Sequence, residues 1–353
     1  MMPALPAAAA FLVSLLVCGL MIRLGPRDAP DGGRKTQARA VPSAGGLGVL
    51  AGIAAALAVA SLAPPPGIDH AFAGIAHDAL AGPMLLVLIA SLLGFADDRF
   101  NLPAGRKLGV LAAAALLAAL YGPHIDHFWL PGTGPDGAAL PLMLALAGAA
   151  LWLFVMANAV NFMDGANGIA MGSAAIMLAA LAVIAAPPPG AAPGILLLIL
   201  MAAVAALLGF LVWNLTGRLY AGDTGALAMG ALIGGAGLAA ASVTSVWVPA
   251  LVVLPILTDV FLTLIWRARH RRPLMQAHRD HAYQLFLRAG WSHLKVAGLW
   301  WALSLISGAA AVLGARAGPA SAFGLFAILL ATGILFWVWQ RVTLGRRLNA
   351  EGR

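Results

Sequence analysis

Residues 193–213 read PGILLLILMAAVAALLGFLVW, a run without a single charge. A helix needs about 17–25 such residues to cross a hydrocarbon core of about 30 Å. The run is continuous rather than alternating, so a spanning helix fits it and a barrel strand does not. Working outward, comparable runs lie near 5–22, 44–63, 80–96, 107–121, 140–157, 168–186, 225–242, 246–266, 295–315 and 321–340, which makes eleven. The composition agrees. Of 353 residues 62% are hydrophobic and 10% charged, against about 25% charged in soluble domains. That excludes a soluble enzyme and a secreted disulfide scaffold. Cys18 is the one cysteine and lies in the first run. The sequence therefore predicts an all-α, polytopic integral membrane helix bundle embedded in a lipid bilayer, one domain over residues 1–353.

The placement of cations orients it. Loops 23–43, 97–107, 214–224 and 267–295 and the tail carry every Lys and Arg except Arg316. All of these segments fall on one side of an eleven-span chain. The positive-inside rule makes that side cytoplasmic, with the N-terminus periplasmic and the C-terminus cytoplasmic. A net charge of +8 distributed in this way serves a membrane surface, and no nucleic-acid partner is expected. The opposite loops hold His124-Ile125-Asp126-His127, which reads better as solvated side chains than as a metal site.

The acids carry the functional signal. Twelve of the thirteen are Asp, and several lie at cytoplasmic span ends, where a carboxylate is a functional hypothesis by default. Gly94-Phe95-Ala96-Asp97-Asp98-Arg99 closes the third run. Neighbouring helical residues diverge by about 100°, so both carboxylates reach one ion only if the helix stops there, as Asn101-Leu102-Pro103 suggests. Asn158-Ala159-Val160-Asn161-Phe162-Met163-Asp164-Gly165-Ala166-Asn167-Gly168 packs three amides and a carboxylate between two apolar runs, more than capping requires. Ala221-Gly222-Asp223-Thr224-Gly225-Ala226 opens the eighth run, where Asp223 is either a helix cap or a metal ligand. His278-Arg279-Asp280-His281-Ala282-Tyr283-Gln284 lies in the most basic loop, suited to a polyanion. Asp259, toward the inner end of the ninth run, is the main charge inside a span. Asp and amide clusters beside a basic loop describe a magnesium–phosphate site.

Together these segments resemble the polyprenyl-phosphate N-acetylhexosamine-1-phosphate transferase family. The segment from Asp28 through Arg34 and Lys35 to Gly46 is similar to its first cytoplasmic loop. The His278–Gln284 segment looks like the branch that initiates O-antigen or similar glycans, and unlike the triple-His motif of phospho-N-acetylmuramoyl-pentapeptide transferase. The resemblance implies an enzyme of the bacterial inner membrane with a cytoplasmic active site. There undecaprenyl phosphate attacks the sugar-linked phosphorus of a UDP-N-acetylsugar and UMP leaves. It implies Mg²⁺, or Mn²⁺ in its place, on Asp223, with Asp98 organising metal or phosphate and Asp97 as base. Asn158, Asn161 and Asp164, helped by Lys35 and Arg39, would line the nucleotide and diphosphate pocket. His278, Arg279 and His281 would hold diphosphate or sugar. A homodimer is left open.

Two positions depart from the family pattern. Asn167 replaces an Asp beside the nucleotide base, and Ala226 replaces a Ser. Two other readings stand beside the enzyme. One is a transporter or flippase of nucleotide-sugar or lipid-linked sugar, moving its cargo without bond cleavage. The other is a degenerate member acting as a scaffold. Pro249 and Pro255 suggest a kink in the ninth run that would open a lateral lipid entrance.

Overall fold

The computed structural model describes residues 4–28, 40–62, 77–134, 136–188, 194–274, 276 and 278–350. Lys35 and Arg39 lie outside the described residues. The expected runs are all helices: α1 (Ala4–Leu24), α2 (Gly45–Leu62), α3 (His77–Phe100), α4 (Ala104–Leu120), α5 (Leu142–Met163), α6 (Ile169–Ile184), α7 (Ile195–Asn214), α8 (Gly222–Val243), α9 (Trp247–Arg269), α11 (His293–Ala317) and α12 (Pro319–Ala350). A seven-residue helix, α10 (Ala282–Arg288), lies between α9 and α11. Among the described residues nine helices are long and apolar enough to cross a membrane. The other two expected spans, α4 and α6, are helices of 17 and 16 residues. The chain is an all-α, multi-pass membrane protein.

The bundle is organised around α8, which is buried along nearly its whole length. Its Gly- and Ala-rich sequence explains this, because small side chains let neighbouring helices approach where no water drives them together. One buried cluster joins α8 to α1, α2, α5–α7 and α9–α12, and a smaller one joins it to α3, α4 and α5. Helix α9 is continuous through Pro249 and Pro255. Pro249 stands in its first turn, where a missing N–H costs no helical bond.

Two short antiparallel ribbons complete the fold: β1 (Arg27–Asp28) with β2 (Val41–Pro42), and β3 (His127–Phe128) with β4 (Ala138–Ala139). The first feeds α2. Tyr220 N–H donates to the Pro42 carbonyl at 2.8 Å, while Gly45 and Gly46 N–H donate to the carbonyls of Tyr220 and Ala221 at 2.9 and 2.8 Å. These bonds pin the start of α2 to the turn that opens α8.

Candidate active site

Helix α3 ends where the sequence suggests. Asn101 takes a positive φ of 55°, and Leu102 N–H folds back to Asp97 Oδ1 at 2.7 Å. The two adjacent carboxylates then diverge, as neighbours on a helix must. Asp97 turns toward α4, where its Oδ2 meets Lys107 Nζ at 2.6 Å. Asp98 turns into the start of α8. Its Oδ1 accepts Asp223 N–H at 2.9 Å, and its Oδ2 accepts Thr224 N–H at 3.1 Å and the Thr224 hydroxyl at 2.8 Å. The cap expected from Asp223 is thus supplied across the bundle by Asp98, an anion at a helix N-terminus. Gly222 permits that approach: its φ is +71°, and a Cβ there would overlap the Ser43 carbonyl and the Asp98 carboxylate.

Freed from capping, Asp223 turns its side chain to the same ammonium, 2.8 Å from Lys107 Nζ to Oδ2. One lysine from α4 therefore bridges carboxylates from α3 and α8. The Asn161 side chain lies beside Asp223. Asp164, one residue past α5, completes the acidic group. Burial, with repulsion from Asp223 and Asp98, pushes its carboxyl up to about 7. Asn158 stands about one turn before Asn161 and donates its amide to the Phe154 carbonyl of its own helix at 2.8 Å.

The histidine segment lies against this group. His281 and His278 ring centres are 4.9 Å apart, and His281 is 6.2 Å from the Phe162 ring. The Tyr283 hydroxyl donates to the Phe162 carbonyl at 3.2 Å. Gly165 is required there, because a Cβ would overlap that hydroxyl. Burial, with the neighbouring His281 and Arg267, lowers His278 to about 4, so at neutral pH it offers a hydrogen bond rather than a charge. Arg279, between the two histidines in sequence, is partly buried.

Both departures from the family pattern have a place. Asn167 N–H donates to His293 Nδ1 at 3.2 Å, and its side chain lies against Gly217. Gly168, at a φ of +80°, donates its N–H to Asn214 Oδ1 at 2.7 Å, while Asn214 Nδ2 donates to the Leu219 carbonyl at 2.9 Å. Ala226 is packed in the core, and the hydroxyl of this segment comes from Thr224.

Of the expected residues, Asp97, Asp98, Asn161, Asp164 and Asp223 form one group, with His278 and His281 against its Phe162 side. Lys107 and Asn214 were not foreseen. Lys107 carried a signal: the chain has three lysines against eighteen arginines, and this one follows Asp97 by ten residues.

The donor set suits a magnesium ion. Asp97 and Asp223 present hard oxygens to a shared point, which the Lys107 ammonium holds in this structure, and magnesium takes one or two protein carboxylates with substrate phosphates as the rest. Among the described residues no three His, Cys, Asp or Glu converge as a protein-only cage. At the far end a cavity is lined by His124, Asp126, His127 and Asp136. There His124 Nε2 and Asp126 Oδ1 stand 3.4 Å apart.

Comparison with known proteins extends these observations. Residues 80–241, from α3 through α8, match glycosyl transferase family 4. The phospho-N-acetylmuramoyl-pentapeptide-transferase of Corynebacterium diphtheriae is 31% identical, covering 87% of this chain and 94% of that protein. The proteins of the same name from Mycobacterium avium and Mycobacterium tuberculosis H37Rv are 30% and 32% identical, each over 85% of this chain and 93% of theirs. These relatives carry the name of the enzyme whose triple-His motif the His278–Gln284 segment does not repeat. The motifs in their order, the acidic group they build and the similarity along nearly the whole chain lead to one assignment: the protein belongs to glycosyl transferase family 4, the polyprenyl-phosphate sugar-1-phosphate transferases.

Proposed function

We propose that the protein transfers an N-acetylhexosamine-1-phosphate from a UDP-sugar to undecaprenyl phosphate at the cytoplasmic face of the bacterial inner membrane. The product is undecaprenyl-diphospho-sugar, the first membrane-bound intermediate of a cell-surface glycan such as O-antigen. The observation that carries the reading is the Lys107 bridge between Asp97 and Asp223, braced by Asp98 and flanked by Asn161 and Asp164. Such a group suits a site at which two phosphorylated substrates meet.

An oxygen of the lipid phosphate attacks the sugar-linked phosphorus of the donor. The bond from that phosphorus to the bridging oxygen of UMP breaks, and UMP leaves with the electron pair. Bound at Asp223 with Asp97 beside it, Mg²⁺ or Mn²⁺ would offset the charge of the converging phosphates. Lys107 adds a second cation against the same two carboxylates. Asp98 sets the Asp223 backbone, and so the direction of its carboxylate. A phosphomonoester has a second pKa of about 6, so the attacking lipid is mostly dianionic at neutral pH and asks little of Asp97 as a base. Asn158, Asn161 and Asp164 line the nucleotide side, with Asn167 at the base. By resemblance, Lys35 and Arg39 would help bind the same donor. His278, Arg279 and His281 hold diphosphate or sugar.

The names of the relatives favour a second donor, UDP-N-acetylmuramoyl-pentapeptide. Purified protein with undecaprenyl phosphate and Mg²⁺, offered UDP-N-acetylhexosamines and that muramoyl donor separately, decides between them by UMP release. Release from the hexosamine donors supports the proposal, and release from the muramoyl donor alone replaces it with the second reading. Passage of intact donor or lipid-linked sugar across a vesicle membrane without UMP would show a transporter or flippase instead.

A further inference from the structure

One buried acid has no part in the reaction above. Asp259 lies on α9, ten residues before its last residue, Arg269, which is about 15 Å along the axis. It is only 3% exposed. A carboxylate at that depth is costly to insert and so marks a task.

Its contacts lead to the histidine segment. Asp259 Oδ1 accepts the Ala282 N–H at 2.7 Å and the Thr263 hydroxyl at 3.1 Å, and Oδ2 faces the Tyr283 N–H at 3.4 Å. His281 Nδ1 stands 3.6 Å from Asp259 Oδ1, with both side chains almost fully buried. Among the described residues that nitrogen has no partner at hydrogen-bonding distance, and a small rotation of the ring would bring it within bonding distance of the carboxylate. Gln340 Nε2 holds the Ala282 carbonyl at 2.8 Å. Arg267 pairs with the Asp280 side chain, and Arg341 bonds the Asp280 carbonyl. From this anchored start of α10, Tyr283 reaches the Phe162 carbonyl, two residues from Asp164. These contacts run without a break from Asp259 to the Phe162–Asp164 segment.

We propose that Asp259 is a positioning residue for the phosphosugar transfer. It fixes the first residues of α10 and faces Nδ1 of His281, so that the His278–His281 pair stands beside the Asn161–Asp164 segment where the donor's diphosphate and sugar lie. The inference rests on the proposed transferase reading and adds a residue that never touches substrate.

Asp259→Asn keeps the size and one acceptor oxygen while removing the charge that faces His281. The variant should fold, keep its KM for undecaprenyl phosphate, and lose about tenfold or more in kcat/KM for the UDP-sugar. In a His281→Ala background the same change should cost clearly less than in wild type, because two residues acting through one another are not additive. Multiplied losses, or an Asp259→Asn enzyme with wild-type kcat/KM, overturn the proposal. Thr263→Val removes only the hydroxyl that orients the carboxylate. If Asp259→Asn fails to fold, Thr263→Val takes its place in the cycle, with a smaller loss of the same kind expected and additivity again refuting. A readout independent of turnover is the ¹⁵N resonance of His281 Nδ1 in nanodiscs, which should move in Asp259→Asn; an unmoved resonance also overturns the proposal. Wild-type protein that releases no UMP from any donor would refute the transferase reading and leave Asp259 to be judged on the resonance.

Discussion

Replacing Lys107 with Met tests the core of the site, because it removes the charge and keeps the length of the side chain. The ammonium makes two charge-assisted contacts, 2.6 Å to Asp97 and 2.8 Å to Asp223. A hydrogen bond to a charged group contributes about 1.5–3 kcal/mol net. Lys107 is 27% exposed at its side chain, and water competition of that order places each contact at the lower end. Two contacts at about 1.5 kcal/mol give about 3 kcal/mol, which is on the order of 100-fold in rate if the arrangement is needed for turnover. Loss of the cation also leaves Asp97 and Asp223 to repel each other and the incoming phosphates. The assay is UMP release with undecaprenyl phosphate, donor and saturating Mg²⁺, on protein shown to be folded by its melting temperature. Lys107→Arg keeps the charge but not the compact geometry, so its rate should fall between wild type and Met. A Lys107→Met rate within about threefold of wild type, in a preparation where Asp223→Asn is inactive, would refute the reasoning.

Three further outcomes are expected. Asp98→Ala removes the cap of α8 and should cost about 1–2 kcal/mol of stability, seen as a lower melting temperature, and should also slow UMP release because Asp223 loses its placement; an unchanged melting temperature would contradict the cap. Asp164, whose carboxyl lies at about 7 against a usual 3.8, keeps a proton in the folded metal-free protein that the unfolded chain has released. Its stabilising contribution is then complete below about pH 4 and lost as pH rises through about 7. In EDTA, Asp164→Asn should accordingly gain in melting temperature on wild type between pH 5 and pH 8, and a constant difference would contradict the assignment. Chelation should stop UMP release, with Mg²⁺ or Mn²⁺ restoring it; release that persists in excess EDTA would rule out the metal.

Much of the architecture is readable from hydropathy, since a span of about 20 residues must declare itself when lipid is the solvent. All eleven expected runs are helices in the structure. The end of α3 was also legible, because Asn101 and Pro103 are local signals. The partners of Asp97 and Asp98 were not. Asp98 finds the start of α8 across more than a hundred residues of sequence, and Lys107 meets Asp223 over a similar separation. Neither pairing leaves a periodic trace. Lys107 reads in sequence as one more positive-inside cation, and only the bundle shows it turned inward between two acids. Asp259 stood out as a charge inside a span, but its meeting with Ala282 and His281 depends on how the segment after α9 folds back. Locally Asp223 reads equally as a helix cap or a metal ligand, and a carboxylate from a neighbouring helix took the place of the cap.

The transfer itself is most directly followed with a donor labelled at the phosphate next to the sugar. Purified wild-type protein, undecaprenyl phosphate and Mg²⁺ should move that label into the lipid fraction together with the sugar, with one UMP formed for each labelled lipid, and Asp223→Asn should move none. Label that stays with the nucleotide, or that reaches the lipid equally well in Asp223→Asn, would contradict the account.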